Sequence, residues 1–217
     1  MMIESEEAAR AFVAERCSPQ AFAALERFAD ELVAESERQN LIARSTIENL
    51  WQRHFADSAQ LLDHVSRETG ACEMGPWLDL GTGAGFPGIV TAIMRPEMAH
   101  VLVESRKRRI EWLERMIALA GLENCRVEGA RLQNVESFAA GIISARAFAP
   151  LKELISLSAR FSTDRTIWLL PKGRSAAQER DELDSAQRKM FHVKQSVTSD
   201  DAAILVGTGR PKAGAAR

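Results

Sequence analysis

Trp77-Leu78-Asp79-Leu80-Gly81-Thr82-Gly83-Ala84-Gly85-Phe86-Pro87-Gly88-Ile89 reads as a buried strand, a glycine-rich turn and the opening of a helix. Glycine lets a backbone approach a ligand with no β-carbon in the way. In open α/β sheets such turns lie at the carboxyl ends of the strands, where ligands bind. Downstream of the turn, short β-prone runs alternate with helical patterns. The runs at 77–80, 100–104, 126–128, 142–145, 166–170, 191–197 and 203–206 predict strands. Pro87–Met94, Lys107–Ala120, Leu151–Arg160 and Ala176–Lys189 predict helices, the second ending at Gly121. This alternation predicts an α/β fold with a mostly parallel sheet. Only Thr198–Ala202 joins the last two strands, so they are expected to form an antiparallel edge hairpin.

Upstream, residues 1–70 read as helices. Ser18-Pro19 is a helix start, and Phe22, Leu25, Phe28, Ala29 and Leu32 recur at helical spacing toward a stop at Asn40. Ser45-Thr46-Ile47-Glu48 has the form of a capping box and predicts a second helix start. Residues 66–76 are polar and carry Gly70, Gly75 and Pro76, as a linker would. The expected organisation is a helical lobe over 1–75, the α/β domain over 76–209 and a flexible basic tail over 210–217.

Composition narrows the function class. The chain has 217 residues, 46% hydrophobic and 27% charged, enough to build a core. Net charge is −2, and residues 1–80 hold 15 acidic against 7 basic side chains. Such a chain is expected to bind bare RNA weakly. No apolar run approaches a membrane span. The acidic start Met1-Met2-Ile3-Glu4 does not read as a secretory signal. Cys17, Cys72 and Cys125 form no CxxC pair, so neither a zinc site nor a disulfide framework is expected. These readings predict a cytoplasmic protein, expected as a monomer, with no metal and no membrane partner.

Two ligands fit the glycine turn. Gly83 to Gly88 matches G-x-G-x-x-G, a dinucleotide fingerprint. Asp79 to Gly85 matches Asp-x-Gly-x-Gly-x-Gly, which resembles the first motif of S-adenosylmethionine (SAM) methyltransferases. SAM is a sulfonium cation without a pyrophosphate, and an acid such as Asp79 suits it better. Glu104 ends the second strand and is placed to bind the ribose of either cofactor. The fourth strand ends in Ser144-Ala145-Arg146-Ala147-Phe148-Ala149-Pro150. It has neither Asn/Asp-Pro-Pro-Tyr/Phe nor Pro-Cys, and no conspicuous general base. That suits an acceptor with its own in-plane lone pair, such as guanine N7. Proximity and orientation then carry catalysis. An NAD-dependent oxidoreductase, a small-molecule methyltransferase and a non-enzymatic assembly factor are the competing readings.

Taken in order, several pieces resemble one family, the bacterial 16S rRNA guanine-N7 methyltransferases, also called glucose-inhibited division protein B. They are Asn40-Leu41, Arg53-His54-Phe55-Ala56-Asp57-Ser58, Gly81 to Ile89, Glu104-Ser105, Arg108-Arg109, Ser144 to Ala149 and Lys172-Gly173. The resemblance covers about residues 20–210. It implies a Rossmann-like, SAM-dependent methyltransferase domain with an N-terminal helical extension. It implies methyl transfer to 16S rRNA in the small ribosomal subunit or its assembly intermediate. Cofactor binding is expected at Gly81, Gly83, Gly85, Phe86, Glu104, Leu132, Gln133 and Arg146. The sequence departs from the family pattern at Glu35-Ser36, at Gln133, at Gly141 and at Glu104, where aspartate is usual.

His54, Arg131 and Lys172 are the candidate substrate contacts, each with a structural alternative. His54 has Asp57 at i+3 as a pairing partner. Arg131 and Arg146 suit either RNA or an ion pair. Lys172 suits either a phosphate or an exposed loop. The tryptophans 51, 77, 112 and 168 sit in apolar patterns and read as core, leaving Phe86 and Phe148 as stacking candidates.

Overall fold

The computed structural model describes residues 2–65 and 75–211. Its strands are β1 (Trp77–Leu80), β2 (His100–Val103), β3 (Cys125–Glu128), β4 (Ile142–Ala145), β5 (Ile167–Lys172), β6 (Phe191–Gln195) and β7 (Ala203–Thr208). They form one sheet in the order β3-β2-β1-β4-β5-β7-β6. The first five pair parallel, and β7 runs antiparallel to both β5 and β6. The expected edge hairpin is therefore present, with β6 outermost. Strand order reverses between β1 and β4, the position where open α/β sheets bind ligands. Leu80 is paired with Ala145, so Gly81 and Arg146 leave the sheet side by side.

The helices are α1 (Glu6–Ala14), α2 (Pro19–Ser36), α3 (Asp57–Ala59), α4 (Gly88–Met94), α5 (Lys107–Ala120), α6 (Leu151–Ser158), α7 (Ala176–Asp181) and α8 (Ser185–Met190). Ser18 caps α2 by accepting from the Ala21 N–H at 3.1 Å, with Pro19 in the first turn. Gly121 closes α5 at φ +63°, as its sequence position foretells. Alternate residues of a strand serve opposite faces. Leu102 joins the core beneath α1, α2, α4 and α5, whereas Val101 and Val103 join the core beneath α6 and α7.

The N-terminal helices and the sheet share one core. Phe28 of α2 packs within 5.4 Å of Phe86 and 6.1 Å of Trp112, measured between ring centroids. The boundary expected at residue 75 thus separates elements that are packed continuously. The expected linker over 66–76 and tail over 210–217 lie mostly outside the described residues. Among the described residues, no helix is long and apolar enough to cross a membrane.

Three local expectations differ from the structure. Helix α2 stops at Ser36, four residues before Asn40, because the chain then turns toward α5, where the Gln39 side chain meets the Arg108 carbonyl. The segment Ser45–Glu48 does not cap a helix: Arg44–Thr46 is a single 3-10 turn. The following helix starts with a π-wound stretch, Trp51–Ala56, and continues through α3 into a 3-10 turn, Gln60–His64. Its first N–H groups find an acceptor in another helix. The Glu6 carboxylate accepts from Trp51 N and Gln52 N, both at 2.8 Å. Glu6→Ala is expected to cost about 1–2 kcal/mol, the usual value of a lost cap. Chemical denaturation of the two proteins measures it. Finally, the helix expected over 176–189 is two helices, because Asp184 accepts from Ala186 N and Gln187 N and starts α8 afresh.

Candidate functional site

Two cavities open at the carboxyl ends of β1 and β4. The first, about 530 Å³, is bounded by the glycine turn, Glu104 after β2, residues 130–133 after β3, and Arg146 to Ala149 after β4. The second, about 1000 Å³, lies between the helix over Arg53–Asp57, residues 146–150, α7 and the loop over Thr198–Ala202. Both volumes suit small-molecule sites. Arg146, Ala147, Phe148 and Ala149 line both cavities and, among the described residues, form the wall they share. Ala147 within that wall has φ +54°, a left-handed conformation uncommon outside glycine and often found at functional sites.

Glycines at the edge of the first cavity let neighbouring side chains close on the turn backbone. A β-carbon on Gly81 (φ +65°) would sit 2.7 Å from the Phe148 ring. One on Gly83 (φ +60°) would sit 3.0 Å from the Arg109 guanidinium. Glu104 is buried at the rim. Its Oε1 accepts from Ser105 N (2.7 Å) and Arg106 N (2.9 Å), and its Oε2 from Gly83 N (3.2 Å). A carboxylate offers about four lone-pair positions, so one remains on Oε2 for a ligand hydroxyl.

Asp79 holds the turn from beneath. It is fully buried, accepting from Ser144 Oγ at 2.6 Å and from Gly88 N at 3.2 Å. It therefore does not face the cavity, against the expectation that it meets a cationic ligand. Its bond to Gly88 N also fills the start of α4, where a pyrophosphate would have to dock. A dinucleotide is thereby disfavoured, and the first cavity fits a nucleoside cofactor without a diphosphate.

Burial pushes the Asp79 carboxyl up from 3.8 to about 6, against hydrogen bonds from Ser144, Thr82 and Gly88 that lower it. A carboxyl raised by folding stabilises the fold fully below its unfolded pKa, and that contribution is lost as pH rises through the folded value. Asp79 alone is thus expected to withdraw roughly 3 kcal/mol of stability between about pH 4 and 6. Unfolding free energies of the wild type and Asp79→Asn across this range check the difference in slope.

The wall between the cavities is built around Arg146. Its guanidinium donates to His54 Nδ1 (3.0 Å) and to the Arg53 carbonyl (3.2 Å), and pairs with Asp57 at 3.5 Å. It lies over the Phe86 ring at 5.0 Å, and the His54 ring stacks on Phe86 at 4.9 Å. Arginine has no acceptor, so His54 Nδ1 must accept, and Nε2 then donates to Thr46 Oγ1 at 3.0 Å. Burial, aided by the charges of Arg146 and Arg53, lowers the His54 pKa from 6.5 to about 3. His54 is neutral, with its lone pair occupied.

A family model described as GidB, rRNA small subunit methyltransferase G, matches residues 21–204. The chain belongs to this family. A ribosomal RNA small subunit methyltransferase G of Erythrobacter litoralis is 59% identical over 97% of this chain and 100% of its own length. The Novosphingobium aromaticivorans protein of the same description is 53% identical over 84% of this chain and 78% of its own. Among solved structures, a SAM-dependent methyltransferase from Aquifex aeolicus superposes with a TM-score of 0.56 at 12% identity, covering 79% of this chain and 96% of that one. The ribosomal protein L11 methylase of Lactobacillus delbrueckii gives 0.54 at 11%, covering 73% and 79%. These two show the fold: the sheet and its flanking helices are those of SAM-dependent methyltransferases.

Within this GidB-family fold, Gly81, Gly83, Phe86, Glu104, Leu132, Gln133 and Arg146, the residues expected at the cofactor, line the first cavity. Gly85 does not. A β-carbon there would meet Phe28 at 2.8 Å, so this glycine admits α2 against the turn. Arg131, expected at the acceptor, lines the first cavity instead, because the short turn over Leu132–Asn134 holds it on the β3 side. His54 and Lys172 line the second cavity. Lys172 is not a free cation: its Nζ donates to Glu179 at 2.8 Å and to the Ala149 carbonyl at 3.2 Å. Burial pushes the Glu179 carboxyl up, but hydrogen bonds from Lys172, Ser175 and Leu151 N outweigh it and hold the group below its ordinary range. Asp57 pairs with Arg146 rather than His54, and its Oδ1 accepts from Gln60 (2.9 Å) and Thr198 (3.0 Å). Sequence reasoning passed over Asp57 and Glu179 as site residues. The i+3 spacing from His54 marked Asp57, but nothing local marked Glu179.

Proposed function

We propose that the first cavity holds SAM and that the second receives a guanine of 16S rRNA, whose N7 accepts the methyl group. The observation that carries this reading is the shared wall, Arg146 to Ala149, which brings both cavities to one short stretch of backbone. SAM supplies a methyl group on a sulfonium, ready for direct displacement by a lone pair. The glycine turn and Glu104 bind and orient it, and Leu132 and Gln133 flank the adenine. Arg146 sets the wall between donor and acceptor.

The electrostatics of the second cavity favour an acceptor that needs no deprotonation. His54 has its lone pair engaged. Each carboxylate on the cavity wall already accepts a hydrogen bond: Asp57 from Thr198, Glu179 from Lys172, Glu182 from Gln178 and Asp201 from Arg174. Among the described residues of that wall, the one imidazole has no lone pair left to take a proton, and each carboxylate is held by a donor. Guanine N7 has an in-plane lone pair and no proton to lose, so holding it in line with the methyl group suffices. The same reading makes the small ribosomal subunit or its assembly intermediate the physiological substrate, met in the cytoplasm by a monomer.

Labelled SAM incubated with small subunits that lack their native modification, followed by nucleoside separation, tests this. Label in 7-methylguanosine is expected. Label in another nucleoside overturns the acceptor atom, and unlabelled RNA overturns the substrate.

A further inference from the structure

We infer that Arg53 is the phosphate-contacting residue of the acceptor cavity, receiving the RNA backbone beside the target guanine. The inference rests on the acceptor assignment above. Four cations line that cavity: Arg53, Arg146, Lys172 and Arg174. Three have a carboxylate partner, namely Asp57 for Arg146, Glu179 for Lys172 and Asp201 for Arg174. Arg53 has none among the described residues, and its side chain is exposed. Its charge is felt at the wall, since it lowers the pKa values of both His54 and Arg146. An uncompensated guanidinium beside a second one raises the local positive potential, which a phosphate oxygen would relieve through a charge-assisted hydrogen bond.

Placement agrees with chemistry. Arg53 lines the acceptor cavity and not the cofactor cavity, so a SAM carboxylate is not its partner. Its carbonyl, by contrast, accepts from Arg146. One residue thus uses its backbone to hold the wall between the cavities and offers its side chain to the polyanion. The backbone contact survives substitution, so side-chain variants isolate the second role. The acidic first 80 residues make a localised cation more telling than it would be on a basic surface.

The salt dependence of binding separates a phosphate contact from a structural one. Equilibrium binding of unmodified small ribosomal subunits is measured at several monovalent salt concentrations for the wild type, Arg53→Gln and Arg53→Lys. Arg53→Gln is expected to bind about 5–10-fold more weakly, with the slope of log K against log salt reduced by roughly one. Arg53→Lys is expected to keep the wild-type slope, and all three are expected to bind SAM equally. An unchanged slope in Arg53→Gln, while the wild type methylates RNA, overturns this assignment alone. A wild type that places no methyl group on RNA overturns the acceptor reading and this assignment together.

Discussion

Arg146→Ala is expected to lower methyl transfer by about a hundredfold or more. Four partners converge on one guanidinium: His54, Asp57, the Arg53 carbonyl and the Phe86 face. It is fixed from the helical lobe on one side and follows β4 on the other. Without it, the wall between donor and acceptor loses its anchor, and misplacement by about 1 Å costs on the order of a hundredfold in rate. Asp57 would also lose its cation, at a cost of about 2–3 kcal/mol in stability given partial exposure. Arg146→Lys separates the two effects. An ammonium can meet Asp57 but cannot fork between His54 and the Arg53 carbonyl. It should recover most of the stability and little of the rate. Thermal unfolding and kcat/KM on the same preparations decide. A fall of less than about threefold for the alanine variant would place Arg146 outside the reaction.

Phe28→Ala carries the largest expected loss of stability, about 3–5 kcal/mol, the range for an aromatic residue removed from a core. Phe28 is 2% exposed and touches Phe55, Phe86 and Trp112, so it rivets α2 to the glycine turn and to α5. For a chain of this size the midpoint should drop by roughly 10 °C. Because lobe and sheet share one core, a single cooperative transition should persist. The turn itself should loosen too, since Gly85 packs directly on Phe28, and weaker SAM binding in titration calorimetry is the expected companion. Two separate transitions in the variant or the wild type would show that the lobe folds on its own.

Much of this arrangement is legible in the sequence, because it depends on local pattern. The strand into Gly81, the caps at Ser18 and Gly121 and the missing helix before β7 each follow from adjacent residues. The grouping of the glycine turn with Glu104 and residues 132–133 follows from strand order. What escaped were contacts between distant segments. Glu6 replaces the capping box that Ser45 promised, because a carboxylate from α1 reaches the N–H groups first. Lys172 reads as an open cation until folding brings Glu179 beside it. Asp79 fits a ligand motif, yet its depth beneath the turn gives its charge to the protein's own Gly88. In each case the residue type was informative and its partner was set by tertiary packing.

On this reading the chain transfers a methyl group by positioning, without removing a proton from the acceptor. Single-turnover transfer to unmodified small subunits at saturating SAM, followed from about pH 6.5 to 8.5, tests it most directly. With His54 neutral throughout and its lone pair held by Arg146, the rate should stay level within about twofold across this range. A rate climbing about tenfold per pH unit would contradict transfer by positioning alone, because it would reveal a base, or an acceptor that must first lose its proton.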